Sequence, residues 1–268
     1  MNWARQIHLK SPAELEIMRR AGRINAQALA AAKALLQPGV STADLNAAAE
    51  EVLRKHGCVS PFKGYGHPPF PASVTISINE ELVHGIPSLK RKLKAGDIVS
   101  LDCGTILEGY VADSALTAGV GEISEEAQRL LDTTQGALSA GIGQMCAGNR
   151  TGDVSAAIQN YVESRGYHLT REYTGHGVGR DMHEGPQVPN YGSAGSGVPL
   201  RPGMTIALEP MVLVGTAETR VLPDQWTVVS ADGSLTAHFE HTVAVTEGEP
   251  LILTAQDTEA SDGAGRMK

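Results

Sequence analysis

The chain has 268 residues, of which 41% are hydrophobic, 4% aromatic and 19% charged, and its net charge is −8. That is enough to bury a sizeable, mostly aliphatic core, in the composition range of soluble globular proteins. The acidic balance argues against broad binding to nucleic acid or anionic membranes, because only Lys90, Arg91, Lys92 and Lys94 form a basic cluster, and it reads as a solvated loop.

In chain order, Ser11-Pro-Ala-Glu14 reads as a capping box with proline at the first helical position, opening a helix to about Leu36. Pro38-Gly39 ends it, Ser41 and Thr42 offer the next cap, and a second helix runs to Lys55 and stops at Gly57. Residues 61–73 are rich in proline, glycine and aromatics and read as a shaped loop. Strand-like runs follow at Val74–Ile78, Ile98–Leu101 and Tyr110–Ala112. Ser124 opens a third helix to about Ile142, and a fourth begins after Gly148 and ends near Gly166. Residues 256–268 are polar and without periodicity and read as a disordered tail.

The second half repeats the plan of the first. GVSTADLNAAAEEVLRKHG aligns without a gap on GNRTGDVSAAIQNYVESRG, offset by 109 residues, placing Gly39 on Gly148, Asp44 on Asp153 and Gly57 on Gly166. AGDIVSLD aligns on PGMTIALE, offset by 107, placing Asp102 on Glu209. Similar segments in one order, each ending in an acid, predict an internal duplication whose halves, about 11–120 and 124–250, meet along a pseudo-twofold axis within a single domain, 1–255.

Five residues interrupt apolar, strand-like segments: Asp102, Asp113, His176, Glu209 and Glu240. An ionised carboxylate moved out of water costs several kcal/mol even after relaxation, so buried acids are paired, protonated or bound to metal. Two divalent ions would balance the four carboxylates, with His176 as a neutral ligand. Asp102 and Asp113 flank a predicted hairpin turning near Leu107–Gly109, which sets them directly opposite or diagonal to one another, depending on where the turn is centred. The oxygen and nitrogen donor set suits Mn, Fe(II), Co or Zn, and the absence of thiolates argues against a structural zinc site. Two such ions can activate a water and polarise a carbonyl or phosphoryl oxygen, so the residues imply metal-assisted hydrolysis without choosing the bond. The three cysteines, Cys58, Cys103 and Cys146, are far apart and fit reduced thiols. With no signal-like N-terminus and no apolar stretch of about 18 residues, the expectation is a cytoplasmic protein.

At these positions the sequence resembles the methionine aminopeptidases of the short type I form. The matching segments are SINEELVHGIP, GDIVSLDCG with GYVADSA, TGHGVGRDMHEGPQV, GMTIALEPM and FEHTVAVT, and the resemblance runs from about Ser11 to Leu253. It implies an α+β pita-bread fold, a central antiparallel sheet flanked by helices. It also implies that Asp113 and Glu240 bridge two metal ions, that Asp102 chelates one, and that His176 and Glu209 bind the other. Metal-bound hydroxide would attack the carbonyl after an N-terminal methionine, with Glu209 as proton shuttle and His84 and His183 contacting substrate and the developing oxyanion. One ion would also hold the free α-amino group. Phe70 and Trp226 would line the methionine pocket with Met182, which stands where many members have phenylalanine. Thr75 replaces a common cysteine, and the 64–71 loop is slightly longer than usual. The implied substrates are nascent chains and peptides with a small second residue, acted on by a monomer, with the ribosome as a further partner. The spacing from Glu209 to Glu240 leaves no room for the helical insertion of type II enzymes. X-Pro peptidases share the ligand set, and non-catalytic scaffolds of this fold typically lose ligands.

Overall fold

Side-chain caps start the helices where the sequence offers them. In the computed structural model, which describes residues 7–255, Ser11 and Glu14 form a capping box at the head of α1 (Pro12–Lys33), and Ser41 and Asp44 form another at α2 (Thr42–Lys55). Ser124 Oγ accepts from Ala127 N–H to start α3 (Glu125–Ile142), and the Asp153 carboxylate accepts from Arg150 N–H at the head of α4 (Thr151–Glu163). Helix α1 ends three residues before the expected Leu36. There the amides of Leu35 and Leu36 turn back to carbonyls only three residues away, the tightened geometry that commonly closes a helix. The expected tail at 256–268 lies outside the described residues.

The strands are β1 (Val74–Ile78), β2 (Glu81–Val83), β3 (Ile98–Leu107), β4 (Tyr110–Gly119), β5 (His168–Leu169), β6 (Thr174–Gly177) and β7 (Glu184–Pro189). They continue with β8 (Thr205–Leu208), β9 (Met211–Leu213), β10 (Thr219–Val221), β11 (Val228–Ser230), β12 (Thr236–His238), β13 (Glu240–Ala244) and β14 (Leu251–Ile252). The main sheet is antiparallel throughout, in the order β1-β3-β4-β13-β8-β6-β7, with β14 also on β13. Two small sheets, β10-β11-β2 and β12-β9-β5, complete it.

This order is close to a palindrome about the β4–β13 junction, and the duplicated segments make duplicated contacts. Thr42 N–H donates to Arg91 carbonyl (3.0 Å) as Thr151 does to Val198 (2.9 Å). Leu93 N–H donates to Val40 (2.9 Å) as Leu200 does to Asn149 (2.8 Å). Gly39 and Gly148 share a left-handed φ, +89° and +95°. The cores are paired too. One packs α1 and α2 on β1 and β3 around Leu29, Leu45, Ile76 and Leu101. The other packs α3 and α4 on β8 and β13 around Leu130, Ile158, Ile206 and Val243. A third cluster, including Met18, Val111, Ala207 and Ala244, closes the seam between them.

The first hairpin settles the relation of Asp102 to Asp113. Its two-residue loop is Glu108-Gly109, both at positive φ (50° and 79°), as a twist-matched tight hairpin requires. Leu107 therefore faces Tyr110, Asp102 faces Ala115 and Asp113 faces Gly104, so the aspartates are diagonal neighbours. Both strands run ten residues, longer than the expected 98–101 and 110–112. Asn25 of α1 bonds the Cys103 carbonyl and accepts from Ser114 Oγ, which ties the helix to the hairpin beside its acids. Among the described residues no helix is long and apolar enough to cross a membrane.

Candidate metal centre

Each of the five expected ligand residues is held by its backbone before any ion is considered, Asp102 by its pairing with Thr75 and Ala115 on the two neighbouring strands. Asp113 N–H donates to Thr242 Oγ1 (2.9 Å), and that hydroxyl donates back to the Asp113 carbonyl (2.8 Å), locking β4 to β13. Glu240 opens β13 opposite Ala115. Glu209 follows β8 directly, where Pro210 interrupts the ladder, and its carbonyl accepts from Asn190 Nδ2 (2.9 Å). His176 lies on β6 with Nδ1 2.9 Å from the Gly177 carbonyl. A carbonyl only accepts, so Nδ1 carries the proton and Nε2 is left bare, 3.5 Å from Glu209 Oε1. A β-carbon on Gly177 would run into the Gly185 carbonyl, so close approach of β6 and β7 requires glycine there.

The five side chains form one contiguous group. Ligand atoms of Asp113, His176 and Glu240 all lie within 4.8 Å of one another, Asp102 is the diagonal neighbour of Asp113 on the hairpin, and Glu209 reaches His176. Loss of solvation is the first cause of every shift in acidity here. It raises Asp102 to about 7, partly offset by hydrogen bonds from Asp113 and Thr75. Burial and then the neighbouring carboxylates push Asp113, Glu209 and Glu240 well above the usual carboxylate range. Burial, and then His183, lowers His176 to about 3, so its imidazole is neutral. Asp102 Oδ1, Asp113 Oδ1 and Glu240 Oε1 are buried without a hydrogen-bond partner. Unsatisfied buried carboxylate oxygens are costly, and a hard or borderline divalent cation is the partner whose charge and oxygen preference fit them.

The group forms one wall of a cleft of about 260 Å³, and all ten expected site residues line it. His84 has φ +62°, and the Gly85 that follows it packs so closely on Ile76 that no side chain could fit there. Its ring meets Tyr173 and Trp226 edge-on, at 5.9 and 6.1 Å between centroids. Burial, and then His183, lowers its pKa to about 4. His183 lies 4.4 Å from the His176 ring, and its Nδ1 is 2.8 Å from Tyr65 Oη. Phe70 and Trp226 stand edge to face at 5.2 Å, and Trp226 Nε1 donates to the Pro68 carbonyl (3.0 Å), so the 64–71 loop is fixed to the pocket wall. Met182 lines the same cleft.

A sequence model of metallopeptidase family M24 matches residues 16–247. A methionine aminopeptidase of Clostridium acetobutylicum is 50% identical over 248 residues, covering 92% of this chain and 98% of that protein. Methionine aminopeptidase 1 of Bacillus subtilis is 49% identical over 245 residues, covering 91% and 98%. The crystal structure of a methionine aminopeptidase from Thermotoga maritima superposes with a TM-score of 0.91 at 44% identity, covering 93% of this chain and all of that one. The chain belongs to the methionine aminopeptidases of metallopeptidase family M24.

Against that methionine aminopeptidase framework, a prolidase from Pyrococcus furiosus matches with a TM-score of 0.73 at 22% identity, which shows the shared fold alone. Phe62, Tyr65, Tyr173, Thr174, Glu172 and Gln187 also line the cleft and were not legible as site residues. Nor was His238, whose Nε2 approaches Glu209 Oε2 (3.8 Å) and Glu240 Oε2 (3.9 Å). One signal for it was present: in His-Phe-Glu, residues two apart on extended backbone share a face.

Proposed function

We propose that this chain removes the N-terminal methionine from nascent proteins and peptides whose second residue is small, using two divalent metal ions held by Asp102, Asp113, His176, Glu209 and Glu240. The observation that carries the reading is the set of three unpartnered buried carboxylate oxygens beside a neutral imidazole, at one end of an aromatic-lined cleft. When bound, the ions supply Lewis-acid polarisation of the scissile carbonyl and a water of lowered pKa.

The chain's own residues do the rest. Glu209, at the edge of the acid group, accepts the proton of the attacking water and passes it to the leaving amine. His84 and His183, both depressed by burial and so neutral, present ring nitrogens toward the substrate carbonyl and backbone, where charge develops. Phe70, Trp226 and Met182 surround the unbranched thioether. Both halves of the chain supply ligands, so we read them as one catalytic unit that works as a monomer. Mn, Fe(II), Co and Zn all suit the donor set, and the ribosome, as the source of nascent chains, is the further partner in this reading.

Chelator-stripped protein should release methionine from Met-Ala-Ser, but not from Met-Lys-Ser, when Mn, Fe(II), Co or Zn is added back. Cleavage of Met-Pro or X-Pro dipeptides with no action on Met-Ala-Ser would favour an X-Pro peptidase instead. Release with no dependence on metal would overturn the metal reading.

A further inference from the structure

His238 is buried, and its Nε2 has no hydrogen-bond partner although it lies 3.8 Å from Glu209 Oε2 and 3.9 Å from Glu240 Oε2. Its position is not set by those acids. The His238 N–H donates to Thr117 Oγ1 (2.9 Å), that hydroxyl donates to the His238 carbonyl (2.8 Å), and Ser100 Oγ sits 2.8 Å from the same Thr117 oxygen. Pairing of His238 with Met211 fixes the other side of β12. The imidazole is therefore carried by β4 and a small sheet, and it meets the carboxylates of two further positions, the end of β8 and the start of β13.

Each of those carboxylates turns one oxygen toward His238 and keeps the other for the centre. Glu209 Oε1 faces His176 at 3.5 Å, and Glu240 Oε1 is buried and unpaired. Two roles fit an imidazole between two carboxylate oxygens: ligand to a third cation, or hydrogen-bond donor. Charge decides between them. Four carboxylates already match two divalent ions, and both acids that face His238 are among those four, so a third ion there would leave an uncompensated double positive charge. A donor needs only the proton that one nitrogen of a neutral imidazole carries in any case. Outer-shell donors of this kind fix the orientation of ligating carboxylates.

We propose that His238 is a positioning residue whose Nε2–H faces the outer oxygens of Glu209 and Glu240 and draws them toward it by charge–dipole attraction, so that their inner oxygens face the metal. The inference rests on the metal reading given above.

The test compares His238→Met, which nearly keeps volume and removes the donor, with His238→Gln, which restores one. Isothermal titration of Mn(II) into chelator-stripped protein should show binding weakened about tenfold to a hundredfold in the Met variant and returned to within about threefold of wild type in the Gln variant, with two ions bound in every case. The Co(II) absorption spectrum should change in the Met variant only, and its loss of activity on Met-Ala-Ser should fall on kcat rather than KM. Wild-type affinity and spectrum in the Met variant would overturn the proposal. So would three ions in wild type falling to two in the Met variant, which would make His238 a ligand. If wild type binds no ion, the metal reading fails first and takes this one with it. Ring ¹⁵N shifts of wild-type, metal-loaded protein, assigned by the signal missing from His238→Gln, test the idea even if the Met variant does not fold. A proton on Nε2 is required, and a bare Nε2 overturns the proposal.

Discussion

Glu209 meets its surroundings through both oxygens, one toward His176 and one toward His238, while its backbone is held by Asn190 and Pro210. Glu209→Gln keeps the shape and removes the charge and the proton acceptor. It should abolish turnover of Met-Ala-Ser while the melting temperature stays close to wild type, and a near-wild-type rate would remove Glu209 from the proton path. His84 differs in kind, because the chain accepts a left-handed backbone at a bulky residue to hold that ring against Trp226 and Tyr173. Such conformations cost of order 1–3 kcal/mol and persist where the surroundings over-determine them. His84→Ala should therefore lower kcat by about 10²–10⁴, the usual range for a lost acid–base or polar catalytic group, in a steady-state assay with metal present. An unchanged kcat would leave the strain without a catalytic explanation.

At the scale of elements, the parts that announce themselves in the sequence are those with local physical causes. Ser11, Ser41 and Ser124 each start a helix because a short hydroxyl side chain can satisfy an orphan amide, and that rule acts within four residues. The duplication is legible because both copies keep the same glycines and the same capping acid, Asp44 and Asp153. What stays hidden depends on contacts across the chain. The register of the Asp102–Asp113 hairpin turns on a single-residue shift of the turn centre, to which the apolar pattern is blind. Strands of two or three residues, such as β2, β9 and β12, are too short to show a period, so the small sheet that carries His238 went unseen. The five acid and imidazole positions were legible because charge inside an apolar strand is conspicuous. Tyr65 and Tyr173, aromatic residues in loops, had no such contrast.

Two substitutions separate scaffold from site at this scale. Ser41→Ala removes an N-cap remote from the cleft and should cost about 1 kcal/mol, read as a drop of about 2–4 °C in melting temperature with kcat unchanged. Gly177→Ala should act on both, because its β-carbon would press on the Gly185 carbonyl and part β6 from β7 one residue from His176. Lower stability together with weaker Mn(II) binding is expected, and unchanged metal affinity would mean that the β6–β7 approach does not position the imidazole.

At the scale of the whole molecule, the proposed metal centre lies where two pseudo-symmetric halves meet, with the hairpin acids Asp102 and Asp113 of one half beside Glu209 and Glu240 of the other across the β4–β13 junction. Without cations that seam stores repulsion. Burial raises all four carboxylates, Asp102 to about 7 from its ordinary 3.8, and repulsion between carboxylates adds to the rise at Asp113, Glu209 and Glu240. The sign of the consequence follows from proton binding. Between pH 3.8 and about 7 the folded chain keeps a proton on Asp102 that the unfolded chain has released, so folding is penalised progressively as pH rises through that window and fully above it. The other three acids add in the same direction. Metal-free protein should therefore melt at progressively lower temperature as pH is raised from 5 to 8, in a calorimetric series at fixed ionic strength. Divalent ions bind the ionised carboxylates, so their stabilisation should grow over the same interval, reaching about 2.7 kcal/mol at free metal a hundredfold above Kd. The two curves should diverge with pH. Parallel curves, or a flat metal-free profile, would mean that the four acids do not share a buried, cation-dependent seam, and the reason for two halves to converge on one centre would have to be sought in packing alone.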